Sequence, residues 1–164
     1  ICGGAAAPPA PGGMPAGSVI FVCLGNINRS AVAEGLLRKH APKTKVKSAG
    51  TGGHFAGNPA SSEMTAAAKA VAGVDLSDHR AKKVELADLD EFDLVLAMDS
   101  QNLSDLQGIC PARHAAKLKL FLPTYAPALG MQDTPDPYYV GGYEKVVLAV
   151  EAAVKGLVQA EGLA

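Results

Sequence analysis

The stretch VIFVCLGNINRS, residues 19–30, decides how the rest of the chain is read. Val19, Ile20, Phe21 and Val22 form an apolar, β-rich run with no polar break, the pattern of a strand covered on both faces of a sheet. Cys23 follows at once, then Leu24, Gly25, Asn26, Ile27 and Asn28, then Arg29 and Ser30, and residues 31–40 have the spacing of an amphipathic helix. The segment is therefore predicted as strand, tight loop, helix. Such a loop turns main-chain N–H groups into a concavity at the positive end of the helix, which suits an anion of phosphate size. A thiol, Cys23, lies at the bottom of that cup.

Five residues separate Cys23 from Arg29, so a loop curled round an anion puts the sulfur beneath it and the guanidinium beside it. The planar fork of an arginine holds two phosphate oxygens at once. A cysteine beside a helix N-terminus and a cation is biased to the thiolate, the nucleophilic form, and this one is aimed at phosphorus. The Ser30 hydroxyl is a donor for the sulfur, and Gly25 and Asn26 tolerate the left-handed dihedrals a cradle needs. A lone cysteine ending a buried strand is more often a small core side chain. The added Gly-Asn, the Arg-Ser and the strand-loop-helix setting tip the reading to chemistry. The run has neither the Gly-Lys-Ser/Thr of a nucleotide loop nor the Gly-x-Gly-x-x-Gly of a dinucleotide turn.

Composition narrows the partners. The chain has 164 residues and a formal net charge of −1 with no basic run, which argues against nucleic acid. No apolar run approaches the roughly 18 residues of a membrane span. The three cysteines, Cys2, Cys23 and Cys110, have neither paired nor metal-like spacing, and an odd count suits a reducing cytoplasm. No metal and no cofactor are expected. Residues 1–17 are Gly, Ala and Pro with little to bury and read as a flexible leader or a processing or cloning remnant, with Met14 a candidate start. Residues 18–164 are then one domain.

Outward from the opening stretch, residues 18–24 are predicted as the first strand and 31–40 as a helix that turns Val32, Leu36 and Leu37 to the sheet. Residues 46–49, beside Lys45, are a short edge strand. A Gly-rich loop over 51–62 carries His54 and Phe55, and Ser61 or Ser62 caps a helix to about residue 71. A further turn begins at 75–78. His79 reads as a satisfied structural histidine, and Lys82 and Lys83 as solvated. Residues 92–98 give the third strand, and Asp99 caps a helix over 100–108. Cys110 is expected buried, and residues 117–122 give the fourth strand. Residues 125–139, YAPALGMQDTPDPYY, are a long loop, and the closing helix runs from 142 to about 161. Alternating strands and helices predict a single α/β domain, a central four-stranded parallel sheet with helices on both faces. Displacing an oxygen leaving group from phosphorus calls for a general acid. Asp136 on the long loop is the candidate, with Pro137 stiffening it and Tyr138 and Tyr139 able to stack on an aryl ring.

CLGNINRS resembles the signature of the low-molecular-weight protein tyrosine phosphatases. The resemblance extends to SAGT at 48–51, GNP at 57–59, SDHRAKK at 77–83, AMD at 97–99 and DPYY at 136–139, and covers about residues 18–162. It implies a strand order of 2-1-3-4, with the loop after the first strand at a topological switch point. It implies that Cys23 attacks phosphotyrosine to form a phosphocysteine, that Arg29 and the loop from Leu24 to Ser30 hold the phosphoryl oxygens, and that Asp136 is the acid. Ser48, His79 and Asp99 become supports of the loop, and His54 falls where an aromatic residue walls the cleft. The implied partners are a phosphotyrosine-containing protein and phosphate or other oxyanions, in the cytoplasm, without nucleic acid or membrane. Two departures stand out: Asn28 replaces a usual second cysteine, and His54 and Phe55 replace the usual aromatic pair. A thiol-coupled arsenate reductase, a protein-arginine phosphatase and a non-catalytic phosphotyrosine- or anion-binding module remain as alternatives.

Overall fold

β1, Ser18–Cys23, is buried at every position and lies at the centre of the sheet. β2, Lys45–Gly50, and β3, Leu94–Ala97, flank it, and β4, Leu118–Leu120, pairs with the outer side of β3. These elements come from a computed structural model that describes residues 16–164. The expectations for Cys2 and Met14 lie outside the described residues. All strand pairs are parallel in the order β2-β1-β3-β4. Cys23 pairs with Gly50, and Val22 pairs with both Ala49 and Ala97, so the three strands end together at one edge. The chain's direction of travel across the sheet reverses around β1, which makes this edge the place where a crevice forms.

The unbroken apolar run of β1 feeds two cores. Val19, Phe21 and Cys23 join Leu94 and Leu96 under α1, Arg29–His40, α2, Ser62–Ala72, and α7, Tyr143–Glu161. Ile20 and Val22 join Val95 and Ala97 on the other face, under α3, Leu86–Glu91, and α4, Ser100–Ile109. Each fully buried side chain of this size contributes about 1.5–3 kcal/mol. Val32, Leu36 and Leu37 are all fully buried on α1. No helix among the described residues is long and apolar enough to cross a membrane.

Several boundaries differ from the sequence expectations, each for a physical reason. The third strand is four residues, with Phe92 and Met98 buried just outside the ladder. The fourth strand stops at Leu120 because Phe121 and Leu122 turn into a helix, α5, Phe121–Tyr125, and both are fully buried in the core that includes α7. There Phe121 meets Phe21 edge to face, with ring centroids 5.1 Å apart. The turn at 75–78 is closed by a side chain, Ser77 N–H to Asp75 Oδ1 at 2.8 Å, and no helix grows from it. Cys110 is half-buried at the end of α4 instead of fully buried. The long loop holds a 3-10 turn, Pro127–Leu129, and a last short helix, α6, Pro137–Val140.

Candidate active site

Cys23 ends β1 and is 2% exposed. The Ser30 hydroxyl lies 2.9 Å from its Sγ, and the main-chain N–H of Asn26 donates to the same sulfur at 3.2 Å. The intervening loop curls because Asn26 adopts φ of 58°, a left-handed conformation open to asparagine at modest cost. Its amide then ties the loop to its surroundings. Nδ2 donates to Ser30 Oγ at 2.8 Å and to Ser48 Oγ at 2.9 Å, and Oδ1 accepts from Lys82 N–H at 3.0 Å. The Asn26 carbonyl lies 2.6 Å from His79 Nε2, whose other ring nitrogen is 3.9 Å from the buried Glu34 carboxylate. Gly25 has a different role from the expected one. Its φ is not positive; instead, a Cβ there would come within 2.9 Å of the Phe55 ring.

Arg29 opens α1 and is buried, so its charge needs partners. Nη1 donates to Asp99 Oδ2 at 2.6 Å and to the Thr134 carbonyl at 3.1 Å, while Nη2 reaches Asp136 Oδ2 at 3.3 Å. Asp99 uses its second oxygen to cap α4, accepting from Asn102 N–H at 2.7 Å. The cap and the anchor for Arg29 are thus one side chain with two oxygens in use. Asp136 caps α6 through Tyr138 N–H at 3.1 Å, leaving Oδ2 toward Arg29. Asp136, more than a hundred residues further along the chain, thus joins the sulfur and guanidinium of the first loop at the edge where the strands end.

They line a cavity of about 310 Å³, walled by the whole loop from Cys23 to Arg29 and by His54, Phe55, Asp136, Tyr138 and Tyr139. Tyr138 and Tyr139 are 63% and 71% exposed and pack edge to face with centroids 5.0 Å apart, forming one wall at the mouth. Ser30 lies behind the sulfur and does not line the cavity, and Ser48, His79 and Asp99 sit outside it as well. Residues 18–162 match the family described as low molecular weight phosphotyrosine protein phosphatase.

The chain belongs to that family of phosphatases.

Among its relatives, the low molecular weight protein-tyrosine-phosphatase of Streptomyces coelicolor is 40% identical over 153 residues, 87% of this chain and 92% of that protein. The protein-tyrosine-phosphatase YfkJ of Bacillus subtilis is 36% identical over 146 residues, 85% of this chain and 92% of its own length. The crystal structure of YfkJ superposes with a TM-score of 0.80 at 35% identity, covering 92% of this chain and 96% of that one. Wzb of Vibrio vulnificus, solved in complex with benzylphosphonate, gives a TM-score of 0.73 at 30% identity over 89% of this chain and 98% of its own.

This low-molecular-weight phosphatase has contacts around its loop that the sequence did not reveal. Asn28 is 5% exposed, and its Oδ1 accepts from the Ser61 hydroxyl, which also caps α2 through Met64 N–H at 3.1 Å. Ser61 N–H donates to the Ile27 carbonyl at 3.0 Å, so the start of α2 buttresses the outer side of the loop. Phe55 walls the cavity beside His54, and the Thr134 carbonyl shares Arg29 with Asp99. Ser61 was legible as a cap but not as a strut. Thr134 offered no signal, because its contribution is a main-chain oxygen.

Proposed function

We propose that the protein hydrolyses protein phosphotyrosine and small aryl phosphates through a phosphocysteine intermediate. The observation that carries this reading is the convergence of Cys23 Sγ, Arg29 and Asp136 on one cavity with an aromatic mouth. Cys23, as thiolate, attacks phosphorus; the S–P bond forms, the P–O bond to the aryl group breaks, and Asp136 gives its proton to the leaving oxygen. Water then attacks the phosphocysteine, Asp136 takes a proton from it, and the sulfur departs as thiolate toward the Ser30 hydroxyl. Arg29 and the main-chain groups from Leu24 to Ser30 carry the charge of the equatorial oxygens, the positioning and electrostatic work that dominates phosphoryl transfer. Ser48, His79 and Asp99 support that loop and its arginine.

The substrate class follows from the walls. Phe55, Ile27, Tyr138 and Tyr139 offer apolar faces to a phenyl ring while the sulfur waits at the far end. The benzylphosphonate held by the Vibrio relative is an aryl-bearing oxyanion of the same kind. We take a phosphotyrosine-containing protein as the partner, the cytoplasm as the location, and residues 18–164 as the catalytic domain. Electron relay of the arsenate-reductase type is disfavoured, since the half-buried Cys110 belongs to the core on the opposite face of the sheet from Cys23.

Cys23→Ser is expected to abolish turnover of phenyl phosphate and 4-nitrophenyl phosphate while still binding inorganic phosphate. Acid-quench trapping of the wild type during turnover should recover phosphate on Cys23. Recovery on another side chain would sink the reading. Asp136→Ala should lower kcat/KM for phenyl phosphate by roughly 10²-fold or more, the usual range for a general acid, with a much smaller loss for the activated nitrophenyl ester. Equal losses would remove Asp136 from the acid's role.

A further inference from the structure

We propose that Asp133 is a positioning residue, which sets the loop bearing the general acid by capping α4 from outside that helix. The inference rests on the reading of Asp136 as the acid. A helix leaves its first N–H groups without intrahelical partners. In α4, Asp99 takes the N–H of Asn102, and the N–H of Ser100 goes instead to Asp133 Oδ1 at 2.9 Å, 33 residues further on. The Ser100 hydroxyl donates to the same oxygen at 2.7 Å, and Gln132 Nε2 reaches that hydroxyl at 3.4 Å. Bonds to a carboxylate are charge-assisted, and the positive end of the helix favours the anion.

The next residue continues the seam. Thr134 is 1% exposed; its N–H donates to the Met98 carbonyl at 2.8 Å, and its own carbonyl accepts from Arg29. Residues 132–134 are thus laid along 98–100, where β3 passes into α4, and Pro135 and Pro137 stiffen the chain on either side of Asp136. Asp133 is exposed, so water can take its place at the helix end when its side chain is removed. Its effect falls on where Asp136 stands relative to the sulfur. A shift of about 1 Å at a reacting group costs roughly 10²-fold in rate.

The test compares Asp133→Ala, Asp133→Asn and Asp136→Ala on phenyl phosphate and 4-nitrophenyl phosphate, with thermal unfolding to establish that each variant is folded. Asp133→Ala is expected to lower kcat/KM for phenyl phosphate by roughly 10- to 100-fold and for the nitrophenyl ester by less than about threefold. Asp133→Asn keeps an oxygen that can accept both bonds and should recover most of the loss. Equal losses on the two esters, no loss on either, or no recovery with asparagine would overturn the proposal. If Asp136→Ala shows the leaving-group contrast and Asp133→Ala does not, the positioning role alone fails. If Asp136→Ala shows no contrast, the acid assignment fails first.

Discussion

At the scale of single residues, Asn26 does more structural work than the nucleophile it stands beside. Its side chain makes three hydrogen bonds, to Ser30, Ser48 and Lys82, and its carbonyl a fourth to His79, all while its backbone is left-handed. Asn26→Ala removes the three side-chain bonds and puts a less tolerant residue at positive φ, so it should destabilise the protein by about 2–4 kcal/mol and lower kcat as well. Urea unfolding and phenyl phosphate kinetics check both. The sequence already pointed to this residue, because Gly25-Asn26 after an apolar run signals a bent loop. It misjudged the division of labour: Asn26 supplies the unusual dihedral, and Gly25 supplies clearance for Phe55. Asp99 shows the same limit. A capping aspartate is readable from its neighbours, but its second oxygen on Arg29 depends on a partner 70 residues away.

At the scale of elements, the long periodic helices were legible and the short ones were not. α7 shows its buried face in the spacing of Val146, Val147, Val150, Val154 and Leu157, all at most 2% exposed. α3 has only six residues and is held by a reciprocal cap between Glu85 and Asp88, too little periodicity to stand out. β4 and α5 share one apolar run, and only the demand of α7 for Phe121 and Leu122 decides where strand gives way to helix. That contact is close: a Cβ added at Gly156 of α7 would lie 1.9 Å from the Tyr125 carbonyl oxygen of α5. Gly156→Ala must push the two helices apart and should cost about 1–3 kcal/mol despite the better helix propensity of alanine. Thermal unfolding is the measurement, and a gain in stability would show that the two helices yield without strain.

At the scale of the whole molecule, the order β2-β1-β3-β4 brings the ends of three strands to one edge, and the site follows from that geometry. Alternation of apolar strands and amphipathic helices made the layers legible, while the strand order came from family resemblance. The closing helix also binds the fold chemically, through the Tyr125 hydroxyl, which donates to Glu161 Oε1 at 2.9 Å. Burial, and then this bond to a carboxylate, pushes Tyr125 well above the usual tyrosine range. In the unfolded chain the phenol ionises near pH 10, whereas in the folded protein it keeps its proton. The resulting stability is fully present below about pH 10 and is lost as pH rises beyond it. Tyr125→Phe should therefore flatten the alkaline fall in unfolding temperature between neutral pH and about pH 11. An unchanged slope would assign that fall to other groups.

The loop over Cys23 is braced from behind by Ser48, Lys82 and His79, and from its flank by Ser61, none of them a group that a bound oxyanion supplies. Folding itself therefore bears the entropic burden of shaping the receptor, and a guest as small as phosphate, with few atoms to contribute, need not spend binding energy on organising its host.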